Sequence, residues 1–103
     1  MGRVDGKVAM VTGGASGLGE AMCVRLAQEG ARVIIADIDD AAGPALADRI
    51  RGDGGEACFL ALDVSSDEQW DAAMDTVLER FGRLDVLVNN AGIAPESPID
   101  MSF

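Results

Sequence analysis

A glycine-rich turn, TGGASGLG, is the part of the sequence whose residue types and spacing most directly suggest chemistry. It spans Thr12–Gly19 and follows the apolar run VAMV. Backbone N–H groups in such a turn, at the start of a helix, favour a bound phosphate because the helix dipole is positive there. Glycines allow a ligand to approach the backbone, and Thr12 and Ser16 could add hydroxyl donors. Alone, the turn is equally consistent with a cofactor loop and with a structural turn.

The spacing of the glycines narrows the class of ligand. Counted from Gly13 it reads G-x-x-x-G-x-G, which differs from the commoner dinucleotide pattern G-x-G-x-x-G. The turn has no G-K-[ST], so it lacks the lysine and hydroxyl that a P-loop uses to hold a nucleoside triphosphate. A dinucleotide is the better match, and it requires a group that recognises the ribose.

A carboxylate stands where such a group is needed. Asp37 follows the apolar run RVIIA, 18 residues after Gly19. It can accept hydrogen bonds from both hydroxyls of an adenosine ribose and would repel a 2′-phosphate. Because no Lys or Arg lies in the turn or just after Asp37, NAD is favoured over NADP. The alternative is a solvated strand-end carboxylate; Asp39 and Asp40 are interpreted as a helix N-cap and a solvated charge.

Two further short motifs follow later apolar runs. Asp63–Val64 can hold an adenine edge, through a carboxylate and a backbone N–H, although Asp63 is equally plausible as the start of a turn into a helix. In the run NNAG, Asn89 is expected to be mainly structural, bridging adjacent strands, and Asn90 to face a cofactor. Ala91–Gly92 would leave room for a ribose or a ring.

The elements that must position these motifs are an alternation of strands and helices. Strands are predicted over Lys7–Val11, Arg32–Ala36, Cys58–Leu62 and Leu84–Val88, and helices over Gly17–Glu29, Asp40–Arg51 and a stripe from Trp70 to Phe81. Near-continuous apolar strands in this order predict an α/β fold with a parallel sheet and helices on both faces. Right-handed crossovers then give a doubly wound, Rossmann-type sheet with the strand order 3-2-1-4.

The apolar periods also predict which helix faces are buried. The first helix is expected to bury Leu18, Ala21, Met22 and Leu26. The third is expected to bury Trp70, Ala73, Met74, Val77, Leu78 and Phe81. Ser66 and Gln69 fit a capping box in front of that third helix, and Gly82 is expected to end it.

Composition excludes several classes of function. The 103 residues carry 18 acidic and 8 basic side chains, a net charge of −10, so nucleic acid and anionic lipid are poor partners. Apolar runs are far shorter than the ~20 residues that span a bilayer. Cys23 and Cys58 lack C-x-x-C spacing and the chain has no His, which predicts buried thiols in a reducing compartment, no metal site and a cytoplasmic protein.

Taken together, these motifs resemble those of the short-chain dehydrogenase/reductase family. The resemblance covers nearly the whole chain in order and spacing, and FGRLDVLV precedes NNAG as expected. It implies NAD-linked oxidation of an alcohol or reduction of a ketone, with a small-molecule substrate, in a homotetramer or homodimer. By motif position, the residues that would line the cofactor are Gly13, Ser16, Gly17, Leu18, Gly19, Asp37, Asp63, Val64, Asn90, Ala91 and Gly92.

The sequence departs from this family in its catalytic residues. Family members use a Tyr as general acid/base, a Lys four residues later, a Ser and a further Asn, all in the second half of a longer chain. This sequence has no Tyr, and its one Lys, Lys7, precedes the first strand. No catalytic residue is therefore predicted, and residues 1–103 are interpreted as the N-terminal part of one NAD-binding domain, inactive by itself. Alternatives are a non-catalytic NAD-sensing module and a methyltransferase half-domain; NNAG and the glycine spacing argue against the latter.

Overall fold

The computed structural model describes residues 4–15 and 17–90 of the chain, in which four strands alternate with three helices. The strands β1 to β4 span Val8–Thr12, Arg32–Asp37, Glu56–Ala61 and Val86–Asn89, and the helices α1 to α3 span Gly17–Gln28, Ala42–Gly52 and Asp67–Phe81. The predicted order of elements is confirmed. The strand ends lie one or two residues from the predicted positions, as is usual where strands fray.

All four strands are parallel, and their order is β3-β2-β1-β4, which confirms the predicted Rossmann-type sheet. Thr12 at the end of β1 pairs with Ala36 of β2 and with Asn89 of β4, and Asp37 pairs with Ala61 of β3. The carboxyl ends of the four strands are therefore level. The turns that leave them meet at one edge of the sheet, where open α/β sheets bind ligands.

Helices cover both faces of the sheet, so the central strand β1 is buried along its whole length. Successive side chains of a strand point to opposite faces. On the face covered by α1 and α2 the buried layer contains Val11, Cys23, Val33, Ile35 and Ile50. On the face covered by α3 it contains Val8, Met10, Ile34, Ala73 and Val77. No helix in the described ranges is long and apolar enough to cross a membrane.

The buried face of α1 differs from the prediction. Leu18 is 54% exposed and Ala21 is exposed, and the other two predicted positions are only partly buried. The buried residues of this helix are Gly19 and Cys23. The physical reason is close approach: α1 begins directly after the glycine turn and lies against it, so the small residues Gly19 and Cys23 take the most buried positions, and Met22 and Leu26 pack beside them, partly exposed.

On α3 the predicted positions Ala73 and Val77 are buried, Trp70, Met74 and Phe81 are partly buried against the same core, and Leu78 is 54% exposed. Val77 occupies the inward position, and Leu78 is rotated about 100° from it around the helix axis. Of the two hydrogen bonds of the predicted capping box, the one to the Ser66 side chain forms and the one from the Ser66 backbone N–H to the Gln69 side chain does not. The N–H of Gln69 donates to Ser66 Oγ at 3.2 Å, but Gln69 Oε1 accepts from the N–H of Asp63 at 2.9 Å. Gly82 ends the helix as predicted, with φ of 76°.

The two cysteines are free thiols in different environments. Cys23 is completely buried, as predicted, and this burial raises the pKa of its thiol to about 12. Cys58 on β3 is only partly buried, so the prediction of two buried thiols holds for Cys23 alone.

Candidate cofactor site

The glycine turn leaves β1 and is anchored to the end of β2. The N–H of Gly13 donates to the carbonyl of Ala36 at 2.7 Å, so the turn begins by closing over the neighbouring strand. Helix α1 then starts at Gly17. The backbone of the turn and the first turn of the helix thus lie together at the carboxyl edge of the sheet, as the sequence predicts.

The glycines of this turn serve different steric needs. Gly13 and Gly17 have φ of 64° and 57°, in the left-handed region that residues with a Cβ rarely adopt. Gly19 is required by space instead, because a Cβ there would lie 2.1 Å from the Gly13 carbonyl oxygen and 2.9 Å from Asn90 Nδ2. The glycine spacing thus reflects two left-handed backbone conformations, at Gly13 and Gly17, and one close contact of α1 with the turn, at Gly19. The same bare backbone is what a pyrophosphate needs to approach the turn.

Asp37 connects the turn to the end of β2. One carboxylate oxygen, Oδ2, accepts the N–H of Ala15 at 3.0 Å, and Oδ1 accepts the N–H of Asp39 at 2.9 Å. A carboxylate has about four acceptor positions, so each oxygen keeps capacity for a ribose hydroxyl. These two bonds hold the carboxylate in place beside the turn. Asp37 is thus a fixed strand-end carboxylate, and its contact with a ribose stays a prediction.

Asp39 acts as the predicted helix cap. Its Oδ1 accepts the N–H of Ala42 at 2.8 Å and that of Ala41 at 3.0 Å, just where α2 begins. These two backbone hydrogen bonds lower the pKa of the Asp39 carboxyl, because they stabilise its charged form. The carboxylates of Asp37 and Asp39 thus hold the backbone between β2 and α2 in place.

The end of β4 is joined to the turn through Asn89 and Asn90. Thr12 Oγ1 lies 2.9 Å from Asn89 Oδ1 and 3.3 Å from the carbonyl oxygen of Val88. Asn90 Nδ2 donates to the carbonyl of Gly13 at 3.2 Å. The suggestion that Thr12 offers its hydroxyl to a phosphate is wrong, because Thr12 is fully buried against β4. Asn89 has the structural role predicted for it, and Asn90 shares that role by bridging two strand ends.

Asp63 begins the turn into α3. Its Oδ1 accepts from Ser65 Oγ at 2.6 Å and from the N–H of Ser65 at 3.0 Å. The hydrogen bond from the Ser65 hydroxyl, followed by that from its backbone, lowers the pKa of Asp63. The other oxygen, Oδ2, has no hydrogen bond within the described part of the chain. The turn-forming interpretation of Asp63 is thus confirmed, and the second oxygen remains available for a ligand.

A cleft of about 150 Å³ brings these groups together at the carboxyl edge. It is lined by Gly13, Asp37, Ile38, Leu62, Asp63 and Val64. Four of these were predicted as site residues from the sequence. Ile38 and Leu62 also line the cleft but were not predicted as site residues. The one signal in the sequence was the position of the apolar Ile38 between Asp37 and Asp39, and its side chain is 73% exposed. A cleft with apolar walls and two carboxylates suits a heteroaromatic ring attached to a sugar.

A second hollow, of about 410 Å³, lies on the other side of Val64. Val64, Asp67, Trp70 and Asn89 line it. Because Val64 borders both spaces, they are neighbours along the same edge of the sheet. Room for an extended ligand thus continues from β3 toward β4.

Comparison with known proteins decides the family. The sequence profile that describes short chain dehydrogenases matches residues 7–102. The chain belongs to the short-chain dehydrogenase family. The match spans all seven helices and strands described above.

Named members of the short-chain dehydrogenase family are close in sequence but much longer. Cyclopentanol dehydrogenase of Comamonas testosteroni is 48% identical over 99 residues, which is 96% of this chain and 40% of the relative. Tropinone reductase-like 2 of Erythroxylum coca is 46% identical over 91 residues, covering 88% of this chain and 32% of the relative. The chain therefore spans well under half the length of these relatives.

Solved structures of the family share this fold. A hydroxysteroid dehydrogenase from Escherichia coli superposes with a TM-score of 0.85 at 36% identity, covering 97% of this chain and 43% of that one. A short-chain dehydrogenase/reductase from Burkholderia phymatum in complex with NAD superposes with a TM-score of 0.79 at 38% identity, covering 84% and 31%. The sheet and its helices are thus those of the family.

The structure describes only some of the residues predicted to line the cofactor. Of the predicted cofactor residues, Ser16, Ala91 and Gly92 lie outside them. Leu18 is exposed on the first turn of α1, beside the glycine turn. Lys7 lies just before β1, at the end of the sheet opposite the turn. Contact of each predicted cofactor residue with a cofactor stays a prediction, and Lys7 is not one of them.

Proposed function

We propose that this chain binds NAD and forms the cofactor-binding part of an oxidoreductase that interconverts a small alcohol and its ketone. The observation that carries the proposal is the placement of Asp37, which is held by two backbone N–H groups beside the glycine turn and lines the 150 Å³ cleft. Family membership supports the reaction class, and the relative from Burkholderia phymatum in complex with NAD supports the cofactor.

The residues fit the cofactor by steric and chemical criteria. The N–H of Gly13 is already used by the carbonyl of Ala36, so Gly13 would contribute only room for the ligand to approach. A pyrophosphate would be held by N–H groups at the start of α1, from Ser16, Gly17, Leu18 and Gly19. Asp37 would hold the adenosine ribose, and Asp63 with Val64 the adenine edge. Asn90, Ala91 and Gly92 would border the nicotinamide half. When bound, NAD would supply the hydride acceptor, and the residues at the carboxyl edge of the sheet would bind and orient it.

Selectivity for NAD over NADP follows from charge. A 2′-phosphate on the adenosine ribose would lie against the Asp37 carboxylate. Within the described residues no Lys or Arg lines the cleft to offset that repulsion. The net charge of −10 adds to the same unfavourable potential.

The chain's contribution to the reaction is binding rather than proton transfer. The sequence contains no Tyr, and Lys7 lies at the far end of the sheet. The proposal for this chain is therefore limited to binding and orienting the cofactor, and it assigns no residue of this chain to the acid/base step or to substrate selection. A small alcohol or ketone substrate, a homodimer or homotetramer and a cytoplasmic location belong to the same proposal; the relative named for cyclopentanol supports the substrate class.

Calorimetric titration with NADH and NADPH tests the proposal. We expect NADH to bind at least about tenfold more tightly, a difference of about 1.4 kcal/mol. Asp37→Asn removes the charge and keeps one of the two acceptor oxygens that the backbone N–H groups use, so it should narrow the preference. Asp40→Asn is the matched control, since Asp40 is exposed and outside the cleft, and should preserve the preference.

Three results would count against parts of the proposal. Equal affinities for NADH and NADPH in the unaltered protein would remove the role of Asp37. Absence of saturable binding of either cofactor would overturn the proposal itself. Tight NADH binding, with no hydride transfer from NADH to any ketone and none from any alcohol to NAD in the intact protein, would favour the NAD-sensing module instead.

A further inference from the structure

A further cleft, of about 240 Å³, is distinct from the two spaces at the carboxyl edge and lies at the opposite end of the sheet. It is formed at the amino ends of β2 and β3 and at the last turns of α2 and α3. We call it the arginine cleft, because its lining includes Arg32, Arg51 and Arg80, together with Cys58 and Phe81. Three of the chain's eight basic residues thus converge in one place in a protein with a net charge of −10.

An aromatic ring draws two of these guanidinium groups together. The Cζ atoms of Arg32 and Arg80 lie 5.7 Å and 5.6 Å from the centre of the Phe81 ring. Each contact is a cation–π interaction, worth about 0.5–1 kcal/mol at an exposed site. Two cations on one ring also repel each other. An anion between or beside them would relieve that repulsion.

The arginines of the cleft have unused donors. Among the arginines in the described ranges, Arg80 alone has no carboxylate within ion-pair distance. Arg32 contacts Glu56 through Nε only, at 3.1 Å, which leaves its two terminal nitrogens free for another acceptor. Arg51 is more fully occupied, by Asp48 and by the carbonyl of Ala57 at 2.6 Å. Arg80 and Arg32 are therefore the groups that can take a ligand.

The positive field of the cleft reaches the thiol on its wall. Burial raises the pKa of Cys58, while the charges of Arg80 and then Arg51 act in the opposite direction. These two guanidinium groups are thus near enough to stabilise a negative charge at Cys58. The thiol itself is not proposed as a reactive group; it is a convenient reporter of what occupies the cleft.

We propose that the arginine cleft binds a small oxyanion with more than one negative charge, held by the guanidinium groups of Arg80 and Arg32. Guanidinium groups match phosphate and carboxylate oxygens in pairs, and a multiply charged ligand can engage both arginines at once. The cleft lies roughly 17 Å from the cofactor edge, since β2 starts at Arg32 and ends at Asp37 and a strand rises about 3.3 Å per residue. The site is therefore separate from the one proposed for NAD.

Titration calorimetry with inorganic phosphate and with citrate, at ionic strength held constant with NaCl, tests the proposal in the folded protein. We expect saturable binding of at least one of them, weakened about fivefold or more by Arg80→Gln. Arg25→Gln is the matched control, because Arg25 is an exposed arginine of α1, outside the cleft and paired with Glu29. Binding of phosphate alone would identify a phosphorylated ligand, and binding of citrate alone a polycarboxylate.

Alkylation by the neutral reagent N-ethylmaleimide gives a second measurement. Cys23 is fully buried, so Cys58 is the thiol that reacts in the folded protein. The bound anion should slow the reaction of Cys58 several-fold, with the same concentration dependence as in calorimetry, and Arg80→Gln should remove this protection. Saturating NADH should leave it unchanged, which separates this site from the cofactor site.

Three outcomes would overturn the arginine cleft as an anion site. The first is no saturable binding of either anion beyond the effect of NaCl, which would leave the arginines as a cover for the Phe81 ring. The second is equal weakening by Arg25→Gln and Arg80→Gln, and the third is binding without protection of Cys58; either would place the anion elsewhere. None of the three bears on NAD binding.

Discussion

At the scale of single residues, the tightest steric requirement falls on Gly19. A methyl group there would meet the backbone carbonyl of Gly13, which cannot move without shifting the turn. We expect Gly19→Ala to destabilise the fold by about 3 kcal/mol, at the upper end of the cost of overpacking, and to weaken NADH binding. Chemical denaturation and calorimetric titration measure the two effects.

The control for Gly19 is Gly52, at the end of α2. A Cβ at Gly52 meets nothing within 4 Å and its φ is not positive. Gly52→Ala should therefore be neutral or stabilise by up to about 1 kcal/mol, because alanine reduces the freedom of the unfolded chain. Equal losses for both variants would show that Gly19 is not a point of close contact.

The Asp39 carboxylate gives a pH-dependent prediction. Its hydrogen bonds to the N–H groups of Ala42 and Ala41 lower its pKa in the folded protein. A lowered folded-state pKa means that its stabilisation is complete above the usual Asp value of about 3.9 and is lost as the pH falls through the lower, folded-state value. The unfolding free energy of the unaltered protein should therefore exceed that of Asp39→Asn at pH 7, and the difference should vanish in acid.

Asp40→Asn serves as the control for this pH series. Asp40 is an exposed neighbour that makes no hydrogen bond or ion pair within the described residues. Its substitution should leave the stability nearly unchanged from pH 7 to acid. A pH-independent difference for Asp39→Asn would instead mean that the shape of the side chain, and not its charge, supports the start of α2.

At the scale of elements, α3 offers a direct test of which face is buried. Val77 is 1% exposed in the core, whereas its neighbour Leu78 is 54% exposed. We expect Val77→Ala to cost about 2 kcal/mol and Leu78→Ala less than about 0.5 kcal/mol, since cavities form only in packed surroundings. Urea unfolding of the two variants gives both values; the reverse order would contradict the packing of α3.

The start of α3 depends on one hydroxyl. Ser66 Oγ accepts the N–H of Gln69, so Ser66→Ala should reduce stability by about 1 kcal/mol. Ser66→Asp retains an acceptor at the N-cap and should restore most of the loss. If Ser66→Asp were as unstable as Ser66→Ala, a lost contact other than the cap would be responsible.

The sequence predicts an element well where local interactions determine it, and poorly where contacts with distant parts of the chain determine it. Strand order and helix stops follow from local chemistry, such as apolar runs and the left-handed Gly82, and were predicted correctly. The buried face of α1 was not, because Gly19 and Cys23 face the sheet for reasons of space that hydrophobicity does not register. Gln69 likewise bonds to the backbone of Asp63, a choice made by the preceding loop and invisible in the capping pattern.

The candidate site divides in the same way. The groups that end strands, Asp37 and Asp63, were found because the ends of parallel strands must share one edge. The hydroxyl of Thr12 was misplaced, because pairing with β4 turns it toward Asn89 and away from the turn. Ile38 was missed, because an exposed apolar residue in a polar segment has no periodicity. A contact between elements distant in sequence thus explains the error at Thr12, whereas Ile38 gave no local signal.

At the scale of the whole molecule, charge opposes folding. The net charge of −10 repels itself more strongly in the folded state than in the expanded unfolded chain. The opposing effect is the attraction within ion pairs such as Arg25–Glu29 and Arg49–Glu20, whose side chains are all at least a third exposed. Exposed pairs are worth about 0–1 kcal/mol each and are themselves screened by salt. General repulsion should therefore be the larger effect.

Salt should consequently stabilise this protein at neutral pH. Raising NaCl from about 0.02 M to about 0.3 M shortens the Debye length severalfold, and we expect the free energy of unfolding to rise by roughly 1 kcal/mol. Near pH 4.1, the isoelectric point expected from the composition, the net charge approaches zero, so the same change in NaCl should have a much smaller effect. Thermal unfolding across this grid of salt and pH measures both. A loss of stability with NaCl at pH 7 would mean that the ion pairs outweigh the net charge, because screening would then remove more attraction than repulsion.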